Sequence, residues 1–426
     1  MHHEHHPWAK RLKHAKHLII KHSLPISLAA VLVILVSVEG AVIARGGGAQ
    51  GHPDLKAYAE KIVADCAKAP YRPTCYEEVV PKIMDKISME DAFQVTRLIQ
   101  DEDRSYQYCH VLGHKLASRE TAKDPSKWEE VIQRCPSGLC SNGCIHGAFQ
   151  ERFRKESLTP AELDAYKSQF SSVCEDRAGF SPTGIEKASC YHALGHLFMY
   201  VTSADIRAAN ALCKELTVKP QGDYSQLCYD GAFMQIFQPL EPDDFTLIKG
   251  KEVDRAHVKG FCDGFTGAEQ GSCWSESWPL FRTDFADPKE LVKHCNYLPT
   301  SDQKGRCFNA IEYVITAQMN FDSDKIAAYC EGMPAAYAGN CFAQAASRMI
   351  ETDYRNSAMA SDLCKTGAPY DKNNLCFNEL LKYSTYNFHV GSDAFNAFCA
   401  AMPSPWKETC AEGKGNQPTT FKRVAE

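Results

Sequence analysis

Residues 190–200 read C-Y-H-A-L-G-H-L-F-M-Y, and this cysteine-led segment decides the fold because versions of it recur along the chain. Other versions are CYDGAFMQIF from Cys228, CFNAIEYVI from Cys307, CFAQAASRMI from Cys341 and CFNELLKYS from Cys376. Each segment places apolar residues at the spacing of an amphipathic helix with one buried face. The sequence therefore predicts a series of related helices.

The spacing of the cysteines indicates a repeat. Ten cysteines occupy matching positions, and six of their nine intervals are 34 or 35 residues long, whereas intervals in the middle of the chain reach 46. A fixed period of this size is typical of helical units that pack on their neighbours. The ten cysteines are Cys75, Cys109, Cys144, Cys190, Cys228, Cys273, Cys307, Cys341, Cys376 and Cys410.

A second helix is predicted within each period. Two of its starts are marked at Thr159-Pro160 and Asp287-Pro288, where a capping side chain precedes a first-turn proline. The predicted fold class is therefore all-α: a superhelical array of about ten αα-hairpin repeats of ~34 residues, with one disulfide per repeat.

The twenty cysteines predict disulfides and an oxidising compartment, because their number is even and tight CxxC zinc pairs are absent. The second helix of most repeats ends on a cysteine, 9 to 16 residues before the next segment's cysteine. Pairing across this turn leaves Cys109 and Cys140, which we expect to join each other. The other predicted pairs are Cys66–Cys75, Cys135–Cys144, Cys174–Cys190, Cys213–Cys228, Cys262–Cys273, Cys295–Cys307, Cys330–Cys341, Cys364–Cys376 and Cys399–Cys410.

The first 44 residues indicate export. Five basic residues precede an apolar run from Leu24 to Val38, which continues past Glu39 and Gly40 to Ala44. This pattern predicts a single-pass cell-membrane protein with a cytoplasmic N-terminus and an extracytoplasmic C-terminal domain. A cleavable signal and a secreted protein are the alternative. The predicted organisation is a basic His-rich leader at 1–23, a signal-anchor transmembrane helix at 24–44, a Gly-rich linker at 45–56, the repeat ectodomain at 57–411 and a flexible tail at 412–426.

Charge excludes one class of partner. Residues 45–426 contain 42 basic and 51 acidic side chains, a net charge of −9. A nucleic-acid groove normally needs a positive surface, so we predict no nucleic-acid partner.

The repeat resembles known helical families. Its period and two partial motifs resemble tetratricopeptide repeats, and a disulfide in each hairpin is similar to the bacterial cysteine-rich Sel1-like repeats. The resemblance implies a right-handed superhelix whose concave groove is lined by the residues beside each Leu-Gly pair. The motifs are Tyr191-x-x-Leu194-Gly195-x-x-Phe198 and Cys109-x-x-Leu112-Gly113-x-x-Leu116.

Five histidines are the main candidate site residues. His110 and His114 form one HxLGH motif, His192 and His196 form another, and His146 lies between them in the sequence. Residues at i and i+4 share one helical face, so each pair can hold one ion. The histidines are therefore candidates for binding a transition metal ion or non-covalent haem, and hydrogen bonding to backbone carbonyls and substrate binding are the alternative roles. Because the pairs lie two repeats apart, we expect about 20 Å between them unless the superhelix curls tightly.

Beyond these histidines, four residues form a candidate ligand groove. Asp230 and Met234 occupy, relative to Cys228, the places that the second histidine pair occupies relative to Cys190. Trp274 and Glu276 are candidates for a ligand patch, with aromatic core packing as the alternative for the tryptophan. No CxxCH, HExxH, GxSxG, Walker or dinucleotide-binding motif is present, so no catalytic residue is assigned and a binding protein is favoured over an enzyme.

Two functions follow as hypotheses. The first is a membrane-anchored scaffold that binds an extracytoplasmic protein, peptide or glycan in its groove. The alternative is a metalloprotein that binds copper, zinc, iron or non-covalent haem at the HxLGH histidines.

Overall fold

Twenty-one α-helices make up most of the chain that the structure, a computed structural model, describes: residues 53–136, 139–153 and 158–415. They are α1 (Leu55–Cys66), α2 (Arg72–Ile83), α3 (Met89–Glu102), α4 (His110–Thr121), α5 (Trp128–Gln133), α6 (Gly143–Phe153), α7 (Pro160–Ser172), α8 (Gly184–Val201), α9 (Ile206–Thr217), α10 (Ser225–Phe237), α11 (Pro242–Leu247), α12 (Val258–Cys262), α13 (Gly267–Glu276), α14 (Pro288–Cys295), α15 (Ser301–Gln318), α16 (Ser323–Glu331), α17 (Ala335–Thr352), α18 (Ser357–Gly367), α19 (Leu375–Asn387), α20 (Asp393–Ala400) and α21 (Trp406–Ala411).

Short elements join these helices. The strands β1 (Val218–Lys219) and β2 (Gly222–Asp223) form an antiparallel ribbon. There are also 3₁₀ turns at Pro125–Lys127, Cys140–Asn142, Trp278–Phe281, Asp284–Ala286 and Tyr354–Asn356.

Capping side chains start the helices where the sequence predicts them. The Thr159 side chain accepts a hydrogen bond from the backbone N–H of Glu162, whose carboxylate accepts one from the backbone N–H of Thr159. The Asp287 side chain caps α14 by accepting from the backbone N–H of Lys289. These bonds satisfy backbone donors that a helix leaves unpaired at its N-terminus.

The helices form inner and outer rows. Each inner helix carries one of the ten periodic cysteines within it or directly before its first residue, and the preceding outer helix lies beside it. All ten disulfides join the predicted pairs, and no cysteine is free. The aromatic residues after these cysteines, such as Tyr191, Phe308 and Phe342, are fully buried between the rows. The structure therefore confirms a helical fold with ten disulfides.

The array closes on itself. Successive inner helices pack from α4 to α19, and α19 also packs on α8. Arg355 Nη1 lies 2.6 Å from Asp101 Oδ1, and Leu139 forms a bridge with Asp353. A Cβ at Gly184 would lie 2.2 Å from Cδ2 of Tyr386. These contacts bring the ninth repeat against the fourth, so the inner faces of repeats two to nine surround a common interior.

The predicted fold class is corrected at the N-terminus. It placed a single transmembrane helix at 24–44 before the array. No helix within the described ranges is long and apolar enough to cross a membrane. Residues 24–44 lie outside those ranges, as do the predicted leader at 1–23, most of the 45–56 linker and residues 416–426 of the tail. Within the described ranges the fold is therefore a disulfide-bonded helical array, and no transmembrane helix is found among them.

Candidate metal centre

The five candidate histidines lie together in the interior of the array. His110 and His114 on α4 have their Nε2 atoms 3.0 Å apart, and those of His192 and His196 on α8 are 3.2 Å apart. The ring of His146 on α6 lies between the pairs, with ring centroids 5.0 to 5.4 Å from the other four. The array therefore curls tightly at these helices, which is the condition under which the two pairs were expected to come together.

Close helix packing produces this arrangement. A Cβ on Gly147 of α6 would lie 2.1 Å from the backbone oxygen of His114, and one on Gly231 of α10 would lie 1.9 Å from that of His192. Neither position can hold a larger residue without moving a helix. Gly195 is equally restricted, because a Cβ there would lie 2.0 Å from the backbone oxygen of Cys228.

Hydrogen bonds to Nδ1 fix the tautomers of three histidines. His110 Nδ1 donates to the Ser141 carbonyl oxygen at 3.2 Å, His114 Nδ1 donates to Gln150 Oε1 at 2.9 Å, and His196 Nδ1 donates to Gln235 Oε1 at 2.7 Å. A neutral imidazole has one N–H, so the Nε2 atom of each carries a lone pair.

The two histidine pairs differ in whether a proton can lie between their Nε2 atoms. His192 Nε2 can donate its proton to His196 Nε2, which completes an ordinary hydrogen bond. In the first pair, both Nε2 atoms carry lone pairs and face each other at 3.0 Å. Two facing lone pairs repel each other, and a proton or a metal ion between the two nitrogens would remove this repulsion. A ring nitrogen of His146 completes this group, since one nitrogen from each of the three histidines lies within 4.8 Å of the others.

Burial keeps the cluster uncharged. It lowers the pKa of His114 to about 4 and that of His192 to about 3, in both cases with a further contribution from His196. Burial, followed by the neighbouring imidazoles, holds the pKa of His146 well below its usual range. Neutral imidazoles keep the lone pairs that a metal ion requires.

Asp244 lies beside Gln150, one of the two glutamines that orient the histidines. Its carboxylate accepts from the Tyr200 hydroxyl at 2.5 Å and, over a longer 3.5 Å, from Gln150 Nε2. Burial raises the pKa of Asp244, but hydrogen bonds from Tyr200, Gln235 and the backbone hold it below the usual value. The Asp244 carboxylate thus contacts Gln150, which is the hydrogen-bond partner of His114. Outer groups of this kind commonly accompany metal-binding histidines.

The Cys109–Cys140 disulfide fixes the contact between Ser141 and His110. Cys109 immediately precedes His110, and Cys140 immediately precedes Ser141, so the Cys109–Cys140 bond holds the Ser141 carbonyl against the His110 ring. Cys140 and Ser141 have φ of 52° and 48°, a left-handed conformation that is unfavourable for residues other than glycine. The disulfide that has no counterpart in other repeats therefore lies at the histidine cluster.

The predicted ligand-groove residues do not join the histidines. Asp230 Oδ1 accepts from Ser272 Oγ at 2.6 Å, and Glu276 Oε2 accepts from Gln238 Nε2 at 2.6 Å. Burial raises the pKa of both acids, and the Asp230 charge raises that of Glu276 further. They form a separate acidic pair.

The other two groove candidates lie elsewhere on the inner helices. Trp274 is buried and packs against His294 and Tyr297, which matches the core alternative. Met234 is half-buried on α10.

Sequence reasoning missed Gln235 and Asp244. A signal for the first existed, because His146-Gly147-Ala148-Phe149-Gln150 and Asp230-Gly231-Ala232-Phe233-Met234-Gln235 share Gly-Ala-Phe followed by glutamine. Asp244 carries no repeat signal, because it lies on α11 in one of the long intervals.

A second group of potential ligand atoms is not a metal site. Glu312, Cys330 and Cys341 lie close together, but the two sulfurs form a disulfide and therefore offer no thiolate.

Haem does not fit the histidine cluster. The five imidazoles are already in ring contact, with adjacent centroids 4.7 to 5.4 Å apart, and a porphyrin would have to separate them. A single ion needs no such space.

Comparisons with protein families, curated proteins and solved structures give no match for this chain. The function of the site must therefore be inferred from its own geometry.

Proposed function

We propose that this protein binds a transition metal ion through His110, His114 and His146. The observation that carries the proposal is the facing pair of Nε2 lone pairs, 3.0 Å apart, whose Nδ1 protons are already donated to Ser141 and Gln150. Zinc–imidazole bonds are roughly 2.0–2.1 Å long, so both nitrogens can reach one ion.

The third ligand has an independent indication. His146 Nδ1 is buried and has no hydrogen-bond partner among the described residues. A buried polar nitrogen without a partner costs about 1–3 kcal/mol of stability. This cost supports a ligand from outside the chain as the partner of the His146 imidazole. This partner is a metal ion, bound either directly or through the other ring nitrogen.

The donor set favours Zn²⁺ or Cu²⁺. Imidazole nitrogens suit zinc, copper, iron and nickel, whereas calcium and magnesium require oxygen ligands. Three histidines with one open position are also the ligands of some catalytic zinc sites. His192 and His196 lie beside the three ligands and are available to a second ion or to a molecule at the open position.

The disulfides support an extracytoplasmic location. Ten bridges with no free thiol are typical of proteins in an oxidising compartment. We therefore propose that the metal is bound outside the cytosol. Membership in the Sel1-like family stays a hypothesis, and so does a protein, peptide or glycan partner, because the closed array offers no particular surface for assigning one.

Metal analysis of the full chain tests the proposal. The seven histidines within residues 1–23 are replaced in every variant, so that ions bound by the leader do not contribute. We expect about one equivalent of zinc or copper per chain after purification from a metal-replete medium. The double variant His110→Gln/His114→Gln should lose it.

A surface histidine provides the control. His257 is exposed and contacts Asp254, and His257→Gln should keep the full metal content. Metal-free parent protein, or a double variant with unchanged metal content and an unchanged circular dichroism spectrum, would contradict the proposal.

A further inference from the structure

A buried arginine lies on the inner face opposite the first histidine pair. The Arg348 side chain on α17 is 2% exposed, and its Cζ lies 3.3 Å from the centroid of the Tyr313 ring and 5.7 Å from that of Tyr108. The Tyr108 ring in turn stacks on His110 with centroids 5.8 Å apart. One aromatic ring therefore separates the guanidinium from a proposed metal ligand.

The charge of Arg348 is incompletely neutralised. Its Nη1 lies 3.2 Å from Glu351 Oε1, which also accepts from the Tyr313 hydroxyl. Burial raises the pKa of Glu351, although Arg348 opposes the shift, and this carboxyl is the one acidic partner of the guanidinium among the described residues. Arg348 Nε is buried and has no hydrogen-bond partner among the described residues.

A loaded metal centre would add further positive charge. Its three proposed ligands are neutral imidazoles, and Asp244 is separated from them by glutamine side chains. A divalent ion there would keep its full charge beside a buried guanidinium. Charges of one sign in a dry interior are costly unless an anion accompanies them.

The space beside this arginine admits solvent. Tyr108 is 41% exposed although one side of its ring contacts His110 and Arg348. A side chain that is desolvated on one side and accessible on the other lines a concavity. A small molecule can therefore approach between the histidines and α17.

We propose that this concavity binds the oxyanion group of a small ligand, a carboxylate or a phosphate, between the metal ion and Arg348. The inference rests on the proposed metal function. Arginine presents a planar set of N–H donors suited to such groups, and the metal supplies the second positive contact. Tyr108 lines the path between the two contacts.

Cobalt substitution tests this proposal, because Co²⁺ absorbs visible light and its spectrum reports the ligands in its open position. The full chain is loaded with Co²⁺ and titrated with acetate and, separately, with phosphate, against chloride at equal ionic strength. We expect a saturable spectral change with at least one oxyanion and none with chloride. The oxyanion that responds identifies the ligand group as a carboxylate or a phosphate.

Variants of Arg348 and Tyr108 test which side chain contacts the anion. Arg348→Gln should weaken the apparent anion affinity at least tenfold with one cobalt still bound, whereas Arg348→Lys, which keeps the charge, should weaken it less. Tyr108→Phe, which keeps the ring on His110, should retain cobalt and a saturable response. Arg255→Gln is the matched control, since Arg255 pairs with Asp284 at the surface, and it should have no effect.

The outcomes separate the two proposals. Failure to bind cobalt overturns the metal function and this inference together. Bound cobalt with no response to either oxyanion, or an unchanged response in Arg348→Gln, overturns the inference alone. If Arg348→Gln does not fold, the charge-keeping Arg348→Lys decides: an unchanged affinity overturns the inference, and a reduced one supports it.

Discussion

The interior of the array has a histidine side, on α4, α6 and α8, and an acid side, on α13, α15 and α17. On the histidine side, burial lowers the pKa of the imidazoles. On the acid side, burial raises the pKa of Glu312 to about 8 and that of Glu351 to about 7. Loss of water removes charge on both sides, but a neutral imidazole keeps a lone pair whereas a neutral carboxyl keeps a proton. The histidine side is therefore suited to bind a cation, and the acid side is suited to hold protons.

The largest expected effect concerns Glu312. Its pKa is near 4.5 in the unfolded chain and about 8 in the fold, so the folded state holds a proton that the unfolded state loses above pH 4.5. The free energy of unfolding therefore decreases between about pH 4.5 and 8, by as much as ~4 kcal/mol. Glu312→Gln should raise stability by a similar amount at pH 8 and by little at pH 4.5, as measured by denaturant unfolding with intact disulfides.

The control for this change is Glu331→Gln, at an exposed position on α16. It should leave the difference in stability between pH 4.5 and pH 8 unchanged. If Glu312→Gln and the parent protein have the same free energy of unfolding at both pH values, Glu312 is ionised in the fold.

The second effect concerns helix packing on the histidine side. Gly231→Ala places a Cβ 1.9 Å from the His192 oxygen and should force α8 and α10 apart, with a loss of about 3 kcal/mol of stability. Gly305→Ala on α15 meets no atom within 4 Å and should raise stability by up to about 1 kcal/mol through helix propensity. Thermal unfolding of both variants measures the difference, and equal melting temperatures would be inconsistent with close packing at Gly231.

The smallest effect concerns the orientation of His114. Gln150→Leu removes the oxygen that accepts the Nδ1 proton, and we expect a 10- to 100-fold weaker metal affinity, as is usual when such a partner is lost. Competition with a chromophoric chelator measures the affinity. Gln94→Leu, at an exposed position on α3, serves as the control. An unaltered metal affinity in Gln150→Leu would show that Gln150 does not contribute to metal binding.

Local features of this fold were predictable from the sequence. The disulfide pairs were deduced because most of them join cysteines 9 to 16 residues apart, so the repeat itself specifies the partner. The helix starts at Thr159 and Asp287 were predictable for the same reason, because capping depends on residues within one turn.

The closure of the array was not predictable in this way. It depends on contacts such as Arg355 with Asp101, which are 254 residues apart and carry no repeat signal. The distance between the histidine pairs stayed open in the sequence because it depends on this curvature. Asp244 was missed because it lies on α11, an insertion within the 45-residue interval between Cys228 and Cys273.

Because each disulfide spans a short stretch of sequence, the disulfides do not join distant parts of the chain to one another. The Cys109–Cys140 and Cys135–Cys144 loops overlap and form one unit around the first histidines, and the other eight loops are separate links along the sequence. No bridge spans the connection between α6 and α7, so a single proteolytic cut there would divide the oxidised protein into two pieces without reductant. His110, His114 and His146 would stay on one piece, and His192 and His196 on the other. Only non-covalent packing would then hold the five histidines together, so reassociation of the pieces would rebuild the cluster from two chains.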